Sequence, residues 1–257
     1  MLLKEFDPNQ IAVINPDNGH PRIEGFPKIT ISVFSDQLFD KALQIFEHEV
    51  ITETRSCNGI NPIYRVKYKG HEFAYYHSFV GAPMCVANYE EVHSMGSDCV
   101  ILLGNCGVLD KEIQDCGIII PTNALRDEGT SFHYLPESDS IQVNKKYIPE
   151  FKEVLKEAGY PYVEGTTWTT DAFYRETREK VNRRKEQGAI CVEMECASMQ
   201  AMCDFRKTDF FQFFYAGDNL DHSSWDPRSL SGSDKLDEKV KIVLLAFELA
   251  LKIAKKQ

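Results

Sequence analysis

The chain lacks an excess of basic residues. Its 257 residues carry 29 Lys and Arg against 39 Asp and Glu, a formal net charge of −10, and that balance argues against a nucleic-acid partner. Also missing is any run approaching the roughly 18 uninterrupted apolar residues of a membrane span. The opening MLLKEFDPNQ holds no apolar signal-peptide core. A cytoplasmic, soluble chain without a membrane partner is expected. Cysteine is not scarce, at eight, but the spacings that would use it are: there is no CxxC and no Cys/His zinc pattern, and most cysteines sit in apolar runs such as SDCVILLGNC. They read as reduced core residues, and no metal site is expected. Internal repeats and low-complexity linkers are absent, so one domain is expected at this length.

What is present is an alternation of strand-like and helix-like segments. The first 27 residues are polar and rich in Pro, Asn and Gly, an arm rather than a core element. From residue 28 onward, KITISVF reads as a strand and DQLFDKALQIFEH as a helix; IYRVKYKGHEFAYYH turns back on itself at Gly70 like a hairpin. CVILLG and CGIIIPTNA are continuous apolar runs suited to strands buried on both faces. NKKYIPEFKEVLKEAG is an amphipathic helix stopped by Gly159. Then come YVEGTTW as a strand, a helix over 171–186, the strand AICVEM, the helix CASMQAMCDFR, the strand FFQFFYAG and a last helix over about 234–255. Such an order predicts an α/β fold: a single domain over 28–257, with a central mixed sheet flanked by helices.

In open α/β sheets ligands gather beyond the carboxyl ends of the strands. Three such ends carry glycine or acid directly after an apolar run: LLGNCGVLD, ICVEMEC and FYAGDNLD. In GNCG, Gly104 and Gly107 suit either a tight strand-to-helix turn or a close approach of backbone N–H groups to an anion. Asp218 is either the N-cap of a following helix or a carboxyl at the apolar mouth of a strand, where a raised pKa would suit a general acid. Trp168 and the pair Phe173 and Tyr174 follow another strand and are either core or a stacking surface for a flat heterocycle. RDEGTSFHY (126–134) packs charges, Gly129, Thr130 and His133 too densely for an idle turn, unless it holds a structural ion pair.

Glu193 and Glu195 pose the sharpest question. Side chains two apart at a strand end point to the same side, and two carboxylates aimed together repel unless donors lie between them. The hydroxyls of a ribose are suitable donors. The competing reading is a solvated helix start favoured by the helix dipole, which the apolar CASMQAMC that follows weakens.

In their order, GNCG, VEMECASM and AGDN resemble the nucleoside phosphorylase superfamily, which includes the hexameric purine nucleoside phosphorylases, uridine phosphorylases and related nucleosidases; matching segments run from about residue 29 to 247. The resemblance implies a pentosyltransferase that cleaves purine nucleosides with phosphate as co-substrate and no other cofactor, assembled as a homodimer or homohexamer. It implies that Glu195 binds the ribose hydroxyls, Met194 packs on the sugar and Glu193 lies at the sugar or base side. Asp218 would protonate the purine, Trp168 and Phe173 would contact the base, and Gly107 would lie near both sugar and base.

The chain departs from that family where phosphate is held. Its first loop, SVFSDQLFDK, lacks the usual glycine and arginine, with Phe39 at the arginine position. A second arginine position holds Leu102, and Asn105 stands where a hydroxyl residue is usual. Asn105 is then a phosphate candidate, as is Arg55 or Arg65 lent by a neighbouring subunit, or Arg22 from the arm. Alternatives are a nucleosidase or uridine phosphorylase of the same fold, or a non-catalytic nucleoside-binding protein. The absence of a Gln-x-Arg pattern near GTTWTT, together with Asp218, points to a purine.

Overall fold

Residues 2–230 and 233–256 are described by the computed structural model. Among these described residues ten strands make one mixed sheet: β1 (Ile29–Val33), β2 (His48–Ser56), β3 (Gly59–Tyr68), β4 (His71–His77), β5 (Cys99–Val108), β6 (Ile118–Asp127), β7 (Ser140–Gln142), β8 (Tyr162–Thr170), β9 (Ala189–Glu193) and β10 (Asp209–Asn219). The helices are α1 (Pro16–Gly19), α2 (Asp36–Ile45), α3 (Ala82–Met95), α4 (Ile148–Ala158), α5 (Arg178–Glu186), α6 (Cys196–Arg206) and α7 (Leu236–Ala254).

The sheet forks at β5. Along one edge β5 pairs in parallel with β10, from Asp209↔Cys99 to Asn219↔Val108. Along the other it pairs first with β1, Ile29↔Cys99 to Val33↔Leu103, and then with β9 at Gly107↔Val192 and Val108↔Cys191. The pairings β5–β10–β6–β8–β9–β5 therefore close a ring, while β1, β4, β3 and β2 extend outward as an open sheet. Residues 104–106 carry no ladder partner on the second edge among the described residues. That gap places the site.

Period-two alternation divides the core. From β5, Cys99, Ile101 and Leu103 join the layer under α2, α4 and α7, whereas Val100 and Leu102 face the layer under α3 and α6. Each such side chain, fully buried, contributes about 1.5–3 kcal/mol of transfer free energy. Gly159 ends α4 in the left-handed region at φ 72°, as the sequence predicts. All eight cysteines are free thiols, seven of them buried. Among the described residues no helix is long and apolar enough to cross a membrane.

Several local expectations need correction. GNCG is not a turn: it continues β5, because β10 goes on pairing with it, and neither glycine has a positive φ. The helix expected over 171–186 begins only at Arg178, where the Thr177 hydroxyl accepts from the Lys180 N–H at 3.3 Å; Phe173–Arg175 is a single 3₁₀ turn. His48–Ser56, largely unassigned by its pattern, is a polar strand at the sheet edge paired to β3 alone. Residues of the N-terminal segment lie against the end of α6: Arg206 donates to the Gln10 carbonyl at 2.9 Å, and the Phe6 and Phe205 rings meet edge-on.

Candidate active site

A cavity of about 640 Å³ opens at the fork, lined by the residue after β1 (Phe34), the exposed edge of β5 (Asn105, Cys106, Gly107) and the end of β9. The size suits a small-molecule site. Glu193, Met194, Glu195, Asp218 and Phe173 line it as well, so strand ends far apart in sequence converge there.

The two glutamates differ in how their charge is met. Glu193 Oε2 accepts from the backbone N–H groups of Glu195 and Cys196, each at 2.7 Å, and Oε1 from the hydroxyls of Thr169 (2.6 Å) and Thr167 (3.2 Å). Its carboxylate thus satisfies the first N–H groups of α6 from a buried position. Burial pushes its pKa up to about 7, against the pull of those four donors. The donors lying between the glutamates are therefore protein groups. The helix-start reading holds for Glu193 in a buried, not solvated, form.

Glu195 Oε1 accepts from the Gly81 N–H at 2.6 Å, with the Met194 backbone as a weaker second donor. Gly81 holds φ 95°, a conformation that favours glycine, and is the N-cap of α3. Burial, with Glu193 adding repulsion, pushes Glu195 up to about 8. A buried carboxyl at the wall of a cavity, short of donors, is suited to a ligand that brings them.

Asp218 follows a bulge in β10, between Ala216 and Asp218, and pairs with Gly107. Among the described residues no helix follows until Leu236, which removes the N-cap reading. Its Oδ2 accepts from the Trp225 indole N–H at 2.7 Å, leaving Oδ1 for a proton. Burial raises its pKa above the ordinary carboxylate value. Gly107 makes room here: a Cβ at that position would sit 2.5 Å from Leu220 Cδ1 and 3.1 Å from Asp218 Oδ1.

Trp168 does not reach the cavity. It is fully buried, its indole donates to Asp127 at 3.0 Å, and Lys180 and Arg184 lie over its ring. Strand alternation turns it toward Val181 and Val192, two residues that do line the cavity. The aromatic wall is instead Phe173 and Tyr174, with ring centroids 4.1 Å apart, together with Trp225. RDEGTSFHY proves structural: buried Arg126 donates to Ser131, Pro136 and Ser138, while Glu128 accepts from the Ser131 N–H.

The end of the cavity near β1 is apolar. Phe34 and Val80 line it, and Phe34 sits so close to Gly104 that a Cβ there would lie 2.9 Å from the ring. Asn105 is in the wall. Arg55 is not: it is exposed on β2 and paired with Glu53. Arg65 is engaged by Glu49, Glu72 and the Gly25 carbonyl. Arg22 lines a separate, shallow depression beside the N-terminal segment. Phe39 is core, stacked on Tyr75 at 4.9 Å. Arg178 is the one cation in the cavity wall among the described residues, and it is committed to the Leu220 and His222 carbonyls.

Several wall or contact residues escaped sequence reasoning, among them Phe34, Val80, Gly81, Glu176, Arg178 and Trp225. Gly81 alone had a signal, glycine directly before the Ala-Pro that opens α3.

Comparison with known proteins gives a consistent result. The family model described as Phosphorylase superfamily matches residues 28–252. A guanosine phosphorylase from Halorubrum lacusprofundi is 22% identical over 202 residues, covering 79% of this chain and 75% of the relative. A uridine phosphorylase from Thermococcus kodakarensis is 30% identical over 155 residues, covering 59% of this chain and 49% of the relative, so the match spans about half of that protein. The purine nucleoside phosphorylase of Toxoplasma gondii, solved with immucillin-H, superposes with a TM-score of 0.79 at 17% identity over 93% of this chain and 97% of that one, which establishes a shared fold.

Proposed function

The chain belongs to the phosphorylase superfamily, and from that premise we propose that it cleaves the N-glycosidic bond of purine nucleosides with phosphate as acceptor. The observation that carries this reading is the placement of Glu195 and Asp218 in one cavity, with only one strong donor to Glu195 and with Asp218 held toward its protonated form. Glu195, once ionised, accepts from the sugar 2′- and 3′-hydroxyls, and Met194 covers the sugar. Phe173 lies along the base. The bond from C1′ to N9 breaks and its electron pair passes into the base, which takes the proton from Asp218 at N7. An oxygen of phosphate bonds to C1′, giving free purine and ribose 1-phosphate. General-acid assistance of this kind contributes typically 10²–10⁴-fold.

A second reading has its own support. The acceptor end, apolar at Phe34 and Val80 and without a free guanidinium, suits water better than a phosphate dianion. A homodimer or homohexamer in which a neighbouring copy supplies a cation would restore the phosphate reading. The test is incubation of adenosine and inosine with and without phosphate, identifying both products. Purine with ribose 1-phosphate, formed only when phosphate is present, supports the proposal. Free ribose without phosphate supports hydrolysis, and no base release in either condition excludes both.

A further inference from the structure

Glu176 lines the cavity, yet the chemistry above gives it no task. Its backbone N–H closes the 3₁₀ turn onto the Phe173 carbonyl at 3.1 Å, so it is held one turn from the base-facing ring. Two residues on, Arg178 donates to the carbonyls of Leu220 and His222. This tether ties the start of α5 to the chain that follows Asp218 and keeps the two carboxyls at the same end of the cavity. The Glu176 side chain receives no hydrogen bond from any described residue. The cation nearest to it in effect, Lys180, is committed to Asp127 at 3.0 Å. A half-buried carboxyl without donors, facing a cavity, is placed to meet a donor on a ligand.

The ligand edge it would meet is specific. A purine presents N7 and its 6-substituent side by side: adenine offers an acceptor and then an amino donor, whereas a 6-oxopurine offers two acceptors. Protonated Asp218 supplies the donor for N7 in either case. We propose that Glu176 is a specificity-determining residue that reads the purine 6-substituent beside Asp218, accepting from a 6-amino group as a carboxylate and donating to a 6-oxo group as a carboxylic acid. The inference rests on the purine reading above and adds the choice among purines.

Both forms of Glu176 lie within reach of ordinary conditions. Burial, with the charge of Asp218 adding to it and Lys180 opposing it, pushes the carboxyl up to about 7. Arg178 is spent on the two carbonyls, and Glu193 and Glu195 are the other acids in the cavity wall. Base preference therefore shifts with pH, toward 6-amino purines above neutrality and toward 6-oxo purines below it. Titration of Asp218 acts at N7, which both kinds of base share, and cancels in the ratio.

The test is calorimetric binding of the free bases adenine and hypoxanthine to the full chain, near pH 8 and near pH 5.5, for the wild type, Glu176→Gln and Glu176→Leu. The wild type is expected to favour adenine roughly tenfold or more at the higher pH, the scale of one charge-assisted hydrogen bond, and to lose or reverse that preference at the lower. In Glu176→Gln, whose amide turns to accept or donate, the ratio falls toward unity and stops changing with pH; this conservative variant decides the matter if the leucine variant does not fold. A wild-type ratio and pH dependence retained in a variant that still binds base overturns the inference and leaves the purine reading standing. A wild-type chain that binds neither base overturns both.

Discussion

The carboxyls and the carbon surfaces of the cavity wall follow opposite plans. Where Glu195, Asp218 and Glu176 line the cavity, three carboxyls meet few protein donors, and burial raises the pKa of each. Phe34 and Val80 present carbon in the same wall, and the chain has Phe39 and Leu102 where the resemblance implies arginines. A buried carboxyl short of partners costs stability that a ligand's hydroxyl or ring N–H recovers on binding. An apolar wall asks nothing of a ligand. Under the proposed function, the carboxyls would recognise the nucleoside, and the acceptor would be held weakly or from outside this chain.

Breaking the charged end should have the largest effect. Asp218→Asn removes the proton donor and should lower purine release about a hundredfold or more while leaving nucleoside affinity within a few-fold, as read from kcat and from calorimetric binding. Next in size is Glu195→Gln: preference for ribonucleosides over 2′-deoxyribonucleosides, compared through kcat/KM, should fall by about 1.5 kcal/mol or more, roughly tenfold. Glu193→Gln should act on the fold. It weakens the acceptor for two N–H groups at the start of α6 and should lower the unfolding free energy by about 1–3 kcal/mol in urea titration. A loss of activity with unchanged stability would instead place Glu193 on the substrate.

The smallest effect is a proton count. Glu193 and Glu195 have their pKa raised in the fold, from an ordinary 4.5 to about 7 and about 8. The folded chain therefore holds more protons than the unfolded chain between these values, and stability contributed by the protonated forms is lost as pH rises from about 4.5 to about 8. A nucleoside whose hydroxyls donate to Glu195 favours the carboxylate. Binding at neutral pH should then release up to about one proton, measurable by calorimetry in buffers of different ionisation enthalpy. Proton uptake on binding would contradict this.

Much of the charged end was legible in the sequence because it sits where strands stop. Glu193, Met194, Glu195 and Asp218 each follow an apolar run, and the α/β pattern says which end of a strand faces a ligand. The ring closure was not legible, since β9 returns to β5 through only two residue pairs. The side that Trp168 takes is not legible, because its end of β8 is buried on both faces. Glu176 and Trp225 lie in turns and loops, where no periodicity marks a residue as facing inward. Phe34 ends a strand, but an apolar residue there reads as core.

The central claim, that Asp218 protonates the purine while Glu195 holds the sugar, is tested most directly with a nucleoside whose base already carries a methyl group at N7. Such a base leaves as a neutral species without any proton from the protein. Measured side by side for guanosine and 7-methylguanosine, kcat/KM in Asp218→Asn should fall about a hundredfold for the former and stay within a few-fold of the wild type for the latter. An equal loss for both substrates would contradict the account.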